Sequence, residues 1–364
     1  MHLPSILPTG QSRAGLFLAL ACATAQMFIA SCERKPAQTS APALQTLVLY
    51  VSADDDLFRP IVKSFEEKTG AKVQVVGDTE ATKTFGLVRR ILDEKESPKA
   101  DVFWASEPLG MISLDKDGLL EPLSITDPQG AKLPANWVPL AYRARVIVFH
   151  KERFPPGSEP RRLGDLLRPE LKGKVGLARP QFGSTRTHFA TLLAMYGEDK
   201  YLAFVRALKA NEARLYDGNS MVVQAVAQGE ISAGLTDSDD VQAGQAQKWK
   251  VSGRGGTGDL EASNEGEPAG IVLLLPHTAG VIANTKSPKL ANEFVAYLLS
   301  EDVQKLFLSS GAAVQPSNAG ALPRVAHPPE AMAKIGPEAV PDYREVQPLE
   351  PKAVELFERV WNEK

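Results

Sequence analysis

Between residues 47 and 104 the chain alternates short apolar runs with helix-spaced stretches. Residues 47–51 (Leu-Val-Leu-Tyr-Val), 72–76 and 100–104 are apolar and rich in β-branched or aromatic side chains, the mark of buried strands. Between them Phe58, Ile61, Val62 and Phe65 recur at three- and four-residue spacing up to Gly70, and Phe85, Leu87, Val88, Ile91 and Leu92 repeat the pattern. Strand–helix–strand–helix–strand order constrains the fold strongly: it predicts an α/β architecture with a parallel, helix-covered sheet.

The carboxyl ends of parallel strands share one edge, where such sheets bind ligands. Here each strand ends in polar residues: Ser52 and Asp54 after the first, Asp78, Thr79, Glu80 and Lys83 after the second, Ser106 and Glu107 after the third. A second series follows. Tyr-Arg-Ala-Arg, ending at Arg145, leads into a strand at 146–149, after an irregular, proline-rich stretch at 120–140. A strand at 174–177 precedes Gly183, Ser184, Thr185 and Arg186, whose hydroxyls and amides at a helix start form an anion site or a capping turn. A strand at 213–216 precedes Asp217, Gly218, Asn219 and Ser220. The run 231–235 ends at Thr236, Asp237, Ser238, Asp239 and Asp240, which either cap the next helix or gather carboxylates for a cation, hydroxyls or amines. His188 reads as a core or cap residue. Residues 252–268 read as an exposed loop, 270–275 and 281–283 as separate strands, and 338–364 as closing with an amphipathic helix.

The amino terminus adds an export device. Arg13, the apolar run 14–30 and Ile29-Ala30-Ser31-Cys32 predict a signal peptide over 1–31; its end resembles a bacterial lipobox, with Cys32 lipidated and 32–45 a tether. A transmembrane anchor is the alternative. The only cysteines of the sequence are Cys22 and Cys32, so the mature domain has no thiol catalyst, disulfide or cysteine zinc site. A net charge of −3 without a basic aromatic stripe argues against nucleic acid. No Gly-x-x-x-x-Gly-Lys-[Ser/Thr], Gly-x-Ser-x-Gly or His-Glu-x-x-His motif occurs. A metal-dependent hydrolase using the aspartates is a remote alternative, and the chain reads as a binding protein rather than an enzyme.

Leu-Val-Leu-Tyr-Val-Ser, Ser-Phe-Glu-Glu-Lys-Thr-Gly, Ala-Asp-Val-Phe-Trp, Tyr-Arg-Ala-Arg-Val-Ile, Asp-Gly-Asn-Ser, Gly-Glu-Ile-Ser-Ala-Gly-Leu-Thr-Asp and Ala-Asn-Glu-Phe-Val-Ala-Tyr-Leu-Leu-Ser stand in an order that resembles the bacterial solute-binding proteins of ABC importers, in the branch of the ferric-ion-binding proteins. The resemblance covers about 47–312. It implies two doubly wound α/β lobes joined by crossing strands (46–143 with 268–312, and 144–267 with 313–364), a cleft between them, an ABC permease as partner, a lipid-anchored periplasmic location and a monomer. Iron-binding members use an adjacent tyrosine pair, a histidine, an acid and an anion on a helix start. Those positions fall on Asp239 and Asp240, near Asp54, near Ser106 or Glu107, and on the Gly183, Ser184, Thr185 turn; a further tyrosine falls on Phe149.

No phenolate stands at the expected positions. Carboxylates are hard oxygen donors too, so Asp54, Glu107, Asp239 and Asp240 form a candidate metal set. The ligand set is Ser52, Asp54, Thr79, Lys83, Glu107, Arg145, Ser184, Thr185, Arg186, Asn219, Asp237, Asp239 and Asp240. Its arginines and lysine favour a small organic or phosphorylated anion or polyol as cargo, with ferric iron as the alternative. No cofactor is expected beyond Fe(III) carried as cargo.

Overall fold

The structure is a computed structural model that describes residues 45–78, 84–126, 136–263, 270–310, 315–316, 338–339 and 341–363. Cys32 and the leader lie outside them, as do Thr79 and Lys83. The first alternation forms β1 (Thr46–Val51), α1 (Asp55–Thr69), β2 (Lys72–Gly77), α2 (Phe85–Asp93), β3 (Val102–Ala105) and α3 (Pro108–Lys116). β1 pairs in parallel with β2 and β3. α1 buries Leu57, Phe58, Ile61, Val62 and Phe65, and Gly70 ends it at φ 70°, donating its N–H to Glu66 O.

β4 (Leu120–Glu121) and β5 (Trp137–His150) follow. The second alternation is β6 (Val175–Ala178), α4 (Gly183–Ala210, kinked at Gly197), β7 (Arg214–Tyr216), α5 (Asn219–Ala227), β8 (Ala233–Asp237), α6 (Ser238–Ala246) and β9 (Val251–Arg254). β6 pairs in parallel with β7 and β8. The chain then crosses back through β10 (Val272–Ile282) into α7 (Pro288–Leu298) and α8 (Glu301–Ser309), with β11 (Gln315–Pro316), β12 (Glu338–Ala339), α9 (Tyr343–Val346) and α10 (Glu350–Asn362) last.

The main strand order is β2-β1-β3-β10-β5-β8-β6-β7. β5 explains how one sheet serves two lobes. Its residues up to Ala144 pair with β10, and Arg145 onward pairs with β8. At about 3.3 Å per residue it reaches about 46 Å, far beyond an ordinary strand. Helices cover both faces of each half, so the apolar core divides into patches under α1, α7 and α8, under α2 and α3, under α4 and α10, and under α5 and α6.

Three local expectations need correction. β5 begins at Trp137, inside the stretch read as irregular; Pro139 lies opposite Thr278, where the β10 ladder shifts register, and such irregularities tolerate proline. β10 is one strand through Pro276 rather than two, because all eleven of its residues are buried and their packing overrides the Pro-His-Thr turn signal. The loop after β9 is buried at 255–258, although Glu261 and Ala262 are exposed: Thr257 is fully buried, donates its hydroxyl to Arg145 O (3.0 Å), and accepts the His188 Nε2–H on its carbonyl (2.7 Å). His188 is accordingly a core residue. Trp104 packs on Phe307 in the core, 5.8 Å between ring centroids. α10 lies along α4, with Phe357 edge-on to Phe189 at 5.3 Å.

Candidate functional site

Strand ends and helix starts from both halves meet at one cavity of about 450 Å³. Asp54 enters from the end of β1, Arg143 from β5, and Gly183, Ser184 and Thr185 from the start of α4. Asp217, Gly218, Asn219 and Ser220 arrive with α5, and Asp237 and Asp240 with the β8–α6 junction. Within each half parallel pairing sends the β-to-α turns to one edge, and the antiparallel crossing strands β10 and β5 set the two edges facing each other near the middle of β5.

Asp237 is its buried centre. One carboxylate oxygen accepts Arg145 Nη1 at 2.7 Å; the other accepts the Ser184 hydroxyl at 2.5 Å and Asn219 Nδ2 at 3.1 Å. Arg145, equally buried, also reaches Ser184 (3.2 Å), Asn219 (3.3 Å) and Thr185 (3.4 Å). Burial works against the Asp237 charge, but Arg143, Arg145 and the Ser184 hydroxyl bring its carboxyl below the ordinary range. Asp237 is also the N-cap of α6 in a capping box with Asp240, which accepts the Thr236 hydroxyl at 2.9 Å. The capping interpretation of this turn therefore holds for Asp237 and Asp240.

Asp239 differs. Its Oδ2 accepts Arg143 Nη1 at 3.0 Å, and its Oδ1 is buried without a hydrogen-bond partner among the described residues. Burial, with the charges of Asp237 and Asp54, pushes its carboxyl up to about 6 against the pull of Arg143. Burial disfavours the Arg143 charge, yet Asp237, Asp239, Asp54 and Asp240 hold that guanidinium protonated well above its ordinary range. Ligand oxygens of Asp237, Asp239 and Asp240 all lie within 4.8 Å of one another.

The remaining expected residues sit elsewhere. Ser52 is buried in a hydroxyl cluster with Thr84 (2.8 Å) and Ser106 (3.4 Å). Glu107 does not join the aspartates: it caps α3 by accepting Leu109 and Gly110 N–H, accepts the Thr187 hydroxyl at 2.9 Å, and is raised to about 7 by burial and by Glu350. It borders a second cavity of about 670 Å³ with Arg186, which is engaged by Glu350 and the Gln181 carbonyl and stacks on Phe85. The four-carboxylate set of Asp54, Glu107, Asp239 and Asp240 is thus not assembled as expected; Asp237 takes the place of Glu107 in the cluster. Phe149 is buried against Phe154 and presents no oxygen. Arg143 is the residue sequence reasoning missed. The period of two along a strand puts it on the face of Arg145, and that signal was legible.

A family model described as "Bacterial extracellular solute-binding protein" matches residues 47–312. The chain belongs to that family. The Fe(3+)-binding periplasmic protein of Serratia marcescens is 30% identical over 203 residues, 54% of this chain and 58% of the relative. The major ferric iron-binding protein of Neisseria meningitidis serogroup B is 26% identical over 273 residues, 72% of this chain and 78% of the relative. The crystal structure of iron-bound HitA from Pseudomonas aeruginosa superposes with a TM-score of 0.71 at 24% identity, covering 87% of this chain and 99% of that one. A family of solute-binding proteins is not an enzyme class, and the two-lobed α/β fold is the one expected.

For a solute-binding protein the cavity has two chemically distinct walls. One is acidic and built from the aspartates. The other offers hydroxyls, an amide and the first turns of α4 and α5, which suit an anion. Among the described residues no helix is long and apolar enough to cross a membrane.

Proposed function

We propose that this solute-binding protein is the receptor of an ABC importer and that its cargo is ferric iron, held by Asp54, Asp239 and Asp240 beside an anion on the starts of α4 and α5. The excess of carboxylate carries the reading. Asp54, Asp217, Asp237, Asp239 and Asp240 stand against three guanidinium groups, Arg143, Arg145 and Arg179, so five negative charges face three positive ones. A small organic or phosphorylated anion entering alone would add charge of the same sign. A hard trivalent cation is what oxygen donors in such surplus attract. The names of the relatives from Serratia and Neisseria support iron over the organic cargo favoured by the sequence.

The lobes are assigned as 46–143 with 268–312 and 144–267 with 313–364, closing about β5 and β10 when cargo touches both. The signal peptide and lipidation at Cys32 place the receptor on the periplasmic face of the envelope. Native mass spectrometry with elemental analysis, on mature protein purified without refolding, tests the cargo and the anchor together. Stoichiometric iron and a diacylglycerol-modified Cys32 are expected. A defined organic or phosphorylated adduct without metal would sink the ferric assignment.

A further inference from the structure

We infer that Arg143 sets the charge preference of the cleft: its guanidinium is a resident counter-cation held across the two halves, and a cationic cargo takes its place at Asp239. The inference rests on the cation reading of the cleft and adds the device that governs it.

Arg143 and Arg145 are two residues apart on β5 and therefore share a face, yet they are used differently. Arg145 is bound wholly on the β6 and β8 side, to Asp237, Ser184, Thr185 and Asn219. Arg143 divides itself. Nη2 donates to Ser106 O at 2.8 Å, at the turn between β3 and α3, while Nη1 donates to Asp239 Oδ2 at 3.0 Å and lies 3.3 Å from Asp237 Oδ2. One buried group thus ties the β3 edge to the β8–α6 junction.

The hold on Asp239 is incomplete. A guanidinium can give a carboxylate two parallel bonds, but Asp239 receives one; its Oδ1 and the Arg143 Nε are both buried without partners. Asp237 has both oxygens engaged. Arg143 lines the cavity, with its Nη1 3.0 Å from Asp239 Oδ2. Of the contacts at this centre, the one between Arg143 and Asp239 is therefore the exchangeable one. A metal ion that replaces it gains an oxygen donor that nothing else occupies, and releases Arg143 toward the anion seat.

The test measures ferric iron, delivered as ferric citrate, and inorganic phosphate on the mature protein and two variants. Arg143→Gln is expected to bind ferric iron at least tenfold tighter and phosphate at least tenfold weaker. Arg143→Lys keeps the charge but cannot span Ser106 O and Asp239 together, and is expected to bind iron at least threefold tighter, which keeps the test valid should the Gln variant not fold. A wild-type protein that takes iron while the folded variants take it no tighter overturns the role of Arg143 and leaves the cargo assignment standing. No iron uptake by any of the proteins overturns the cation reading and this inference with it.

Discussion

Arg145 and Asp237 lie 2.7 Å apart with neither side chain exposed. Such a pair contributes little net stability against an apolar replacement, but removing one partner strands a charge where water cannot reach it. Asp237→Ala would leave Arg145 and much of the field on Arg143 uncompensated. It is expected to cost about 3–5 kcal/mol in urea denaturation. Asp237 is then a builder of the cleft; a loss under about 1 kcal/mol would show that Arg145 finds another partner.

Asp239→Asn separates binding from folding. The side chain keeps its shape and its contact with Arg143, so the midpoint of unfolding should move by about 1 kcal/mol or less. Ferric iron retention by elemental analysis should fall to background, because the unpartnered Oδ1 loses its charge. Asp240→Ala is less clean: it removes the capping box of α6 and the acceptor of Thr236, about 1 kcal/mol of helix stability, alongside any effect on cargo. Removing both acids at once would mix the two effects. Iron kept by Asp239→Asn at wild-type stoichiometry would remove this acid from the site.

Much of this arrangement was legible beforehand. Alternating apolar runs announced the parallel strands, and parallel pairing brings Ser184, Asn219 and Asp237 to one edge, which the antiparallel crossing strands set facing the β1 edge that carries Asp54. What stayed hidden was the direction in which polar side chains spend their bonds. Glu107 and Arg186 carry the same charges as Asp239 and Arg143, yet helix capping and Glu350 claim them. Position along the chain does not reveal that choice; it depends on which neighbour arrives first in space. The two prolines in β5 and β10 misled for a related reason, since burial from both faces outweighs a local turn preference.

His188 and Glu107 give opposing pH dependences. Burial, then the charge of Arg145, lowers His188 from 6.5 to about 3, so below pH 6.5 the unfolded chain takes up a proton that the folded one refuses. Stability is full above 6.5 and falls as pH drops, by about 2 kcal/mol at pH 5 at roughly 1.4 kcal/mol per pH unit. Burial raises Glu107 from 4.5 to about 7, so its contribution is full below 4.5 and is lost as pH climbs through 7. Between 4.5 and 6.5 the slopes cancel. His188→Gln, whose amide can still donate to Thr257 O, should expose the falling limb, and Glu107→Gln the rising one. Urea midpoints at pH 5 and 7 check both; parallel profiles for the wild type and the two variants would refute the pair.

Gly256 holds the buried loop that closes over Arg145 and His188. Its φ of 96° is open to few side chains, and an added Cβ would run into the Arg161 carbonyl oxygen. Backbone on backbone cannot yield as a flexible side chain does, so Gly256→Ala must push the loop away. Thr257 then loses its bonds to Arg145 O and His188, which fix the crossing strand behind Asp237. A cost of about 3 kcal/mol or more is expected, above the usual range for a surface loop. Hydrogen exchange gives the sharper measurement, because the amides of β5 near Arg145 should lose protection together with those of the loop. Protection lost in the loop alone would mean that the crossing strand stands without it.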